Sequence, residues 1–364
     1  MKILAISDYR SFHTVRPEAE IFIGLAKMGE DISVMTYGDC EYAKRFKDAG
    51  IRVIDFHPEK KLDAKEINFI KAYLVENNID IIHLFNSKAI INGIQAAKDL
   101  KTKIVLYRGY TGNIHWYDPA MYLKFLHPAV DAIQCNSVGV ADLFKRQLFF
   151  KKNKAFAINK GHKSDWYRDV EATDLKKEFN LPNNSLVLIN VANNRKMKGI
   201  PYLLEAITKI DKSIPVHLIL VGRDMDTPEN IAILKQANME NQVHFTGFRS
   251  DALSLVAGAE AFVLSSITGE SITKAVIEAM SLEIPPIITD IPGNVELLED
   301  GKSGIIVKYK NADALKEGIL KFYALDESKR KAMGQEARKR IDNVLNTENT
   351  VIHVLKMYKQ LLYS

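Results

Sequence analysis

The chain has 364 residues, which at roughly 150 residues per domain predicts two domains. Hydrophobic residues make up 47% and charged residues 26%, a balance that excludes a disordered chain, a collagen and a small disulfide scaffold. The net charge is only +5, and the two cysteines, Cys40 and Cys135, lie far apart, so neither a structural zinc site nor a disulfide framework is encoded and a reducing cytosol is expected. The short apolar run at Ile3–Ile6 meets Asp8, too soon for a signal peptide, and no run approaches the length of a membrane helix.

Residues 1–165 carry 25 Lys+Arg against 19 Asp+Glu, while residues 166–364 carry 25 against 26. This excess is too small for a nucleic-acid face but leaves an anionic membrane surface or an anionic substrate open. Apolar runs predict strands at Lys2–Ser7, Ile32–Thr36, Ile51–Phe56, Ile79–Leu84, Lys103–Tyr107 and Ala132–Gln134, and a last one near Ala155–Asn159. Helical patterns separate most of them, at Pro17–Met28 with Pro in its first turn, Ala64–Val75 and Ala89–Leu100. A polar stretch, Lys160–Trp166, reads as a linker.

The alternation then restarts. Strands are expected at Leu186–Val191, Val216–Val221, Val243–Thr246, Ala261–Leu264, Pro286–Thr289 and Gly304–Val307. Helices are expected at Ile200–Ile210, Ile231–Ala237, Ala252–Ala257 and Ile272–Leu282, followed by three C-terminal helices. Strand–helix alternation of this kind implies α/β architecture with parallel sheets covered on both faces. The expected organisation is two doubly wound, Rossmann-like domains, residues 1–165 and 166–346, facing each other across a cleft. Ligands then belong beyond the carboxyl ends of the strands, where strand order reverses.

The loop after Leu186–Val191 holds Arg195 and Lys198-Gly199 before a helix. Two cations at a helix N-terminus suit a phosphate, and a solvated basic loop is the alternative. The loop after Ala261–Leu264 leads through Glu270 to Ser271, Ile272 and Thr273 at the next helix. Glu278 lies two turns on, among Ala275, Val276, Ile277, Ala279 and Met280. A carboxylate in such a stripe needs a partner, and a ribose diol would supply one. The first strand leads into a glycine-free loop with Arg10, His13 and Arg16, so the G-x-G-x-x-G of a dehydrogenase is missing. Those three, with Arg108 and His115 in the aromatic loop after the fifth strand, are candidates for an acceptor. Asp224-Met225-Asp226 has the D-x-D form of a metal site but lacks a third carboxylate nearby, so it reads as a turn and no metal is expected. Phe144–Lys154 mixes cations with aromatics and is either a helix end or a contact with an anionic membrane.

From about Leu186 to Val307 the chain resembles the GT-B glycosyltransferases of family 4, the retaining nucleotide-sugar-dependent group. The resemblance rests on Arg195 with Lys198-Gly199, Val221-Gly222, Phe245-Thr246-Gly247-Phe248, the E-x7-E pair Glu270 and Glu278, Pro292-Gly293 with Glu296, and Gly301 with Gly304. It implies that Arg195 and Lys198 grip the donor diphosphate, Glu270 orients the donor sugar and Glu278 holds the ribose. It also implies that the amides of Ser271, Ile272 and Thr273 face sugar and phosphate, with Gly222, Phe248 and Arg249 at the base. A C-terminal helix, about Thr347–Leu362, would cross back to the first domain. The first half resembles the family only in architecture; a glycine pair after the first strand is missing, and Arg108 stands where a histidine is common. The function implied is transfer of a sugar from a UDP- or GDP-linked donor, without metal, to a glycan or lipid-linked acceptor in bacterial surface-polysaccharide or lipopolysaccharide assembly. Its place would be the cytoplasm or the inner face of the plasma membrane. The competing readings are a nucleotide-sugar epimerase or hydrolase, and a non-catalytic subunit that positions a partner.

Overall fold

The computed structural model describes residues 1–112, 114–148 and 152–363. It forms two compact units, Met1–Gly161 with Leu345–Ser364, and His162–Val344. The first division falls inside the polar stretch Lys160–Trp166.

The first unit opens with β1 (Lys2–Ile6), α1 (Phe12–Lys27), β2 (Asp31–Thr36), α2 (Glu41–Asp48), β3 (Arg52–Asp55) and α3 (Ala64–Glu76). It continues with β4 (Ile81–Leu84), α4 (Ser87–Ala97), β5 (Lys103–Arg108), β6 (Ala132–Cys135), α5 (Val138–Gln147) and β7 (Ala155–Ala157). The second unit holds α6 (Leu175–Glu178), β8 (Leu186–Val191), α7 (Ile200–Thr208), β9 (Val216–Val221), α8 (Pro228–Ala237), β10 (Val243–Gly247) and α9 (Ala252–Ala257). Then come β11 (Ala261–Leu264), α10 (Lys274–Ser281), β12 (Pro286–Thr289), β13 (Ile305–Val307), α11 (Ala312–Tyr323) and α12 (Glu327–Asn343). The last helix, α13 (Thr347–Tyr363), returns to the first unit.

Both sheets pair in parallel, in the orders β3-β2-β1-β4-β5-β6-β7 and β10-β9-β8-β11-β12-β13. Such strands are apolar on both faces, and β1 shows why. Leu4 and Ile6 enter a core with α3, α4 and α5, while Ile3 and Ala5 enter another with α1, α2 and α13. In the second unit Leu186 and Leu188 pack against α7, α8 and α11. The order of each sheet reverses between its first and fourth strands, β1/β4 and β8/β11. Loops leaving those strands therefore diverge and leave a crevice.

Four helix starts differ from the sequence reading, among them α4 at Ser87 and α8 at Pro228, both earlier than expected. Helix α1 begins at Phe12, so Pro17 sits inside it instead of opening it. The ring removes one hydrogen bond, but Val15, Ala19, Phe22 and Leu25 bury the helix face and outweigh that loss. Helix α10 begins at Lys274, and Ser271, Ile272 and Thr273 form the turn before it. Helix α13 lies close to α1 because residue 24 is glycine; a Cβ there would sit 2.5 Å from Val351 Cγ2.

His83 is fully buried on β4, with Nδ1 2.7 Å from the Tyr358 hydroxyl of α13. Burial, aided by the charge of Lys160, pulls its pKa down to about 3. Below about pH 6.5 an unfolded histidine takes up a proton that the folded one refuses, so stability falls with falling pH. Between pH 6.5 and 5 the loss is on the order of 2 kcal/mol for this residue. Thermal melts from pH 7.5 to 5 are expected to show a falling melting temperature, and His83→Gln a flatter profile. A profile unchanged by that substitution would contradict the assignment.

Candidate active site

Strand β8 leads through a 3-10 turn, Lys196–Lys198, into α7. Gly199 closes the turn at φ +64°, where a Cβ would collide with the Ser265 carbonyl of the loop after β11. That contact is close because two hydrogen bonds tie the loops together. The Ser265 hydroxyl donates to the Lys198 carbonyl (2.9 Å), and the Ile267 N–H donates to the Met197 carbonyl (2.8 Å). Deeper in the sheet, Asn190 Nδ2 donates to the Val263 carbonyl (2.7 Å). On this framework Lys198 Nζ and Glu270 Oε1 form an ion pair, and the Ser266 hydroxyl donates to the same carboxylate oxygen (3.0 Å). The pair thus stands on the two strands that flank the reversal of sheet order. Arg195, the cap of the turn, is exposed, and among the described residues no acid pairs with it.

The loop after β12 completes the arrangement. Thr289 Oγ1 donates to the Ser266 carbonyl (2.6 Å), and Asn294 Nδ2 to the Thr289 carbonyl (3.4 Å). Gly293, at φ +95°, lies so near Ser271 that a Cβ would be 2.7 Å from its Cα. The Thr273 hydroxyl donates to Asn294 Oδ1 (3.2 Å) and leaves the first turn of α10 without a side-chain cap. Lys274, the first residue of that helix, pairs with Glu278 one turn on. A cation at a helix N-terminus opposes the helix dipole. It makes the local field more attractive to an anion, and it supplies the partner that the half-buried Glu278 requires.

The donor-base candidates lie on two further loops, Gly222 after β9 and Phe248 and Arg249 after β10. The Gly222 N–H donates to the Gly247 carbonyl (2.8 Å), and the Asn194 N–H to the Arg223 carbonyl (3.2 Å), joining the loops after β8, β9 and β10. Phe248 is 65% exposed, with the Arg223 guanidinium 5.1 Å from its ring. Arg249 is held by both oxygens of Asp251 (2.7 and 2.6 Å) and by Glu178 (2.7 Å). Asp224 takes a left-handed turn conformation, φ +59°, beside buried Met225.

In the first unit the candidates Arg10 and Arg108 are already engaged. Arg10 makes two bonds to Asp8 (3.0 and 2.7 Å) and lies 3.9 Å above the Tyr37 ring; the same bonds lower the Asp8 pKa. His13 and Arg16 occupy the first turns of α1, where His13 packs its edge on Phe12 and the Arg16 guanidinium lies 5.8 Å from that ring. Arg108 is buried at the end of β5. Its Nε donates to the Tyr110 carbonyl (2.9 Å), its Nη2 to the Gly112 carbonyl, and its guanidinium stacks 3.6 Å from the Tyr110 ring. It therefore braces the aromatic loop from below. His115 is exposed on that loop, stacked on Tyr117; Asn113 lies outside the described residues. Of the Phe144–Lys154 stretch, Phe144 is buried in α5 and Lys145 pairs with Asp142, while Phe149, Phe150 and Lys151 lie outside the described residues.

One pair in this unit escapes a reading of sequence alone. Lys160, assigned to a linker, reaches Glu18 Oε2 of α1 at 2.7 Å, across 142 residues of chain. Its ammonium lies 4.1 Å from the Tyr107 ring centre and 5.7 Å from that of Phe85. Burial opposes its charge, but Glu18 and Tyr107 outweigh that and raise its pKa.

Residues 171–340, nearly all of the second unit, match the family model described as glycosyl transferases group 1. The chain is 28% identical over 199 residues to N-acetyl-alpha-D-glucosaminyl L-malate synthase of Bacillus anthracis, a match spanning 54% of this chain and 51% of that protein. It is 26% identical over 350 residues to N,N'-diacetylbacillosaminyl-diphospho-undecaprenol alpha-1,3-N-acetylgalactosaminyltransferase of Campylobacter jejuni, spanning 88% of this chain and 89% of that one. Among solved structures it is similar to a glycosyltransferase of Rickettsia africae, with TM-score 0.80, 19% identity and 100% and 99% coverage. Anabaena HepE in complex with UDP gives TM-score 0.76 at 18% identity, covering 99% of this chain and 100% of that one. These likenesses, with two parallel-sheet α/β units, give the chain the GT-B fold of glycosyltransferases.

The glycine at 199 carries a testable consequence. Gly199→Ala, in a left-handed position against the Ser265 carbonyl, is expected to destabilise the protein by about 1–3 kcal/mol and to loosen the Lys198–Glu270 pair. Gly301→Ala, also left-handed but with nothing within 4 Å, should cost about 1 kcal/mol. Urea unfolding of both variants would measure the difference, and equal losses would show that the loop contact is not stabilising.

Proposed function

We propose that the protein is a retaining glycosyltransferase that moves a sugar from a nucleoside-diphosphate donor to a glycan or lipid-linked acceptor of bacterial surface polysaccharide. The observation that carries the reading is the Lys198–Glu270 pair, placed with Arg195 at the switch point of the second sheet beside the α10 turn. A diphosphate there meets two cations and the backbone amides before α10. Lys198 turns from Glu270 toward the phosphates, and the freed carboxylate faces the donor sugar. Glu278 likewise exchanges Lys274 for the two ribose hydroxyls. The bond from the anomeric carbon to the diphosphate oxygen breaks, and the acceptor oxygen bonds that carbon from the same face. The acceptor proton passes to the leaving phosphate, so no separate base is needed. Arg195, Lys198 and the helix end neutralise the charge that grows on the diphosphate.

Support for the reading comes from the E-x7-E spacing of Glu270 and Glu278, from the family match and from the relatives' names. HepE has been solved with UDP and with UDP-glucose, which makes UDP the first nucleotide to test. The Campylobacter relative's name specifies a diphospho-undecaprenol acceptor, which favours a lipid-linked acceptor and work at the inner membrane face.

Calorimetric titration with UDP and GDP in turn, without added metal, is expected to give micromolar binding of one of them. Glu278→Ala should weaken it about tenfold or more, the equivalent of one charge-assisted hydrogen bond. Unchanged affinity would reject the ribose role. Arg195→Ala and Lys198→Ala should each lower turnover by about 10²-fold, as loss of a transition-state charge partner does, and near-normal turnover would reject the phosphate grip. Steady release of free sugar without an acceptor would favour a hydrolase. Nucleotide binding with no transfer to any acceptor would favour a partner subunit.

A further inference from the structure

Strands β9 and β10 each carry a histidine as their second residue, His217 and His244. Val216, Leu218 and Val243 enter the core with α7 and α8, so strand alternation turns both imidazoles to the opposite face of the sheet. The strands pair with His244 beside Ile219, which places His217 diagonally across from it on that face. The rings approach through their nitrogens: His217 Nδ1 lies 3.3 Å from His244 Nε2, with ring centres 5.6 Å apart and planes 25° from parallel. Phe179, in the turn after α6, packs on His244 with ring centres 5.4 Å apart. Both histidines are half-buried, and both stand at the amino ends of their strands, the edge opposite to the loops of the candidate active site.

A hydrogen bond between the rings at this distance is weak, since N–H groups bond best at about 2.7–3.2 Å. The same spacing suits an ion. Two nitrogens each about 2.0–2.1 Å from a tetrahedral metal lie about 3.3–3.4 Å apart, so a slight tilt of the rings brings both lone pairs onto one centre. Burial lowers the pKa of both rings, for His244 with help from His217, so both are neutral imidazoles at neutral pH, the form that ligates. The Asn241 backbone accepts a hydrogen bond from the His217 ring. With Nδ1 turned to His244, Nε2 is the nitrogen that donates there, and a backbone acceptor behind an imidazole fixes its tautomer as it does in metal sites. Imidazole suits zinc, nickel and copper ions, whereas magnesium and calcium take oxygen ligands. Glu178, next to Phe179 in sequence, is held by Arg249 (2.7 Å), and among the described residues no third His, Cys, Asp or Glu joins the pair. Water completes the shell of such an ion and makes it exchangeable.

We propose that His217 and His244 form a binding site for one divalent transition-metal ion of the zinc class. The ion clips the edge strand β10 to β9 and stabilises the second unit at the amino edge of its sheet. It takes no part in the proposed sugar transfer and does not depend on it.

The test is calorimetric titration of the untagged full chain, stripped of metal with a chelator, with zinc chloride, nickel chloride and magnesium chloride in turn. Zinc and nickel are expected to bind at one ion per chain with micromolar affinity, and magnesium not to bind. His217→Gln and His244→Gln should each weaken zinc binding about tenfold or more, while Cys40→Ser, at the half-buried cysteine of the first unit, should leave it within twofold. Zinc should also raise the melting temperature of the wild type and not that of either histidine variant. An unchanged far-UV spectrum shows that a variant is folded. Electron paramagnetic resonance of the wild type loaded with one copper(II) ion should show two coordinated imidazole nitrogens, and it carries the test if neither histidine variant folds. No zinc binding, full zinc affinity in a folded histidine variant, equal binding of magnesium, or a copper spectrum with fewer than two nitrogens would overturn the proposal.

Discussion

The ion pair between Lys198 and Glu270 organises the second unit's site. It joins two loops that leave neighbouring strands on opposite sides of a reversal in sheet order, and those loops would otherwise diverge. Ser265, Ser266, Gly199 and Thr289 bring the backbones close enough for the pair to form. On the proposed reading the pair is also a competitor. A diphosphate must take Lys198 away from Glu270, which holds donor affinity down and keeps the leaving nucleotide from being bound too tightly. Interactions that strengthen only as charge develops on the phosphates raise turnover, whereas uniformly tight binding does not.

The two units repeat one architecture, and near both switch points most of the named cations are paired, Arg195 being the exception. In the second, Arg195 stands exposed, and the cations Lys198 and Lys274 have acidic partners that a ligand could replace. In the first, Arg10 is bound by Asp8, Lys160 by Glu18, and Arg108 by loop carbonyls. Near the first switch point these three cations are therefore already engaged, whatever the excess of positive charge in residues 1–165. A count of charged residues reports the field of the whole unit, while recognition depends on which charges remain unpaired at one edge of a sheet.

The strands were legible in the sequence because parallel strands buried on both faces read as continuous apolar runs. β8, β9, β11 and β12 have the ends that those runs predict. Helix ends were less legible. Pro17 looks like a first-turn residue, yet the packing of Val15, Ala19 and Phe22 extends α1 back to Phe12. The α10 start is hidden because Thr273 turns its hydroxyl to Asn294 instead of capping the helix. The residues Arg195, Lys198, Glu270 and Glu278 stand out by type and spacing. Their partners do not: Ser266 and Lys274 are ordinary residues until the loops are closed. The Lys160–Glu18 pair spans too much chain for any local pattern to show it.

The most direct measurement is the affinity of UDP for Glu270→Gln beside the wild type, by calorimetry. If Glu270 holds Lys198 in competition with the diphosphate, the variant should bind UDP several-fold more tightly while its sugar-transfer turnover falls. Unchanged or weaker UDP binding in a folded Glu270→Gln protein would contradict the exchange of partners on which the account of the site rests.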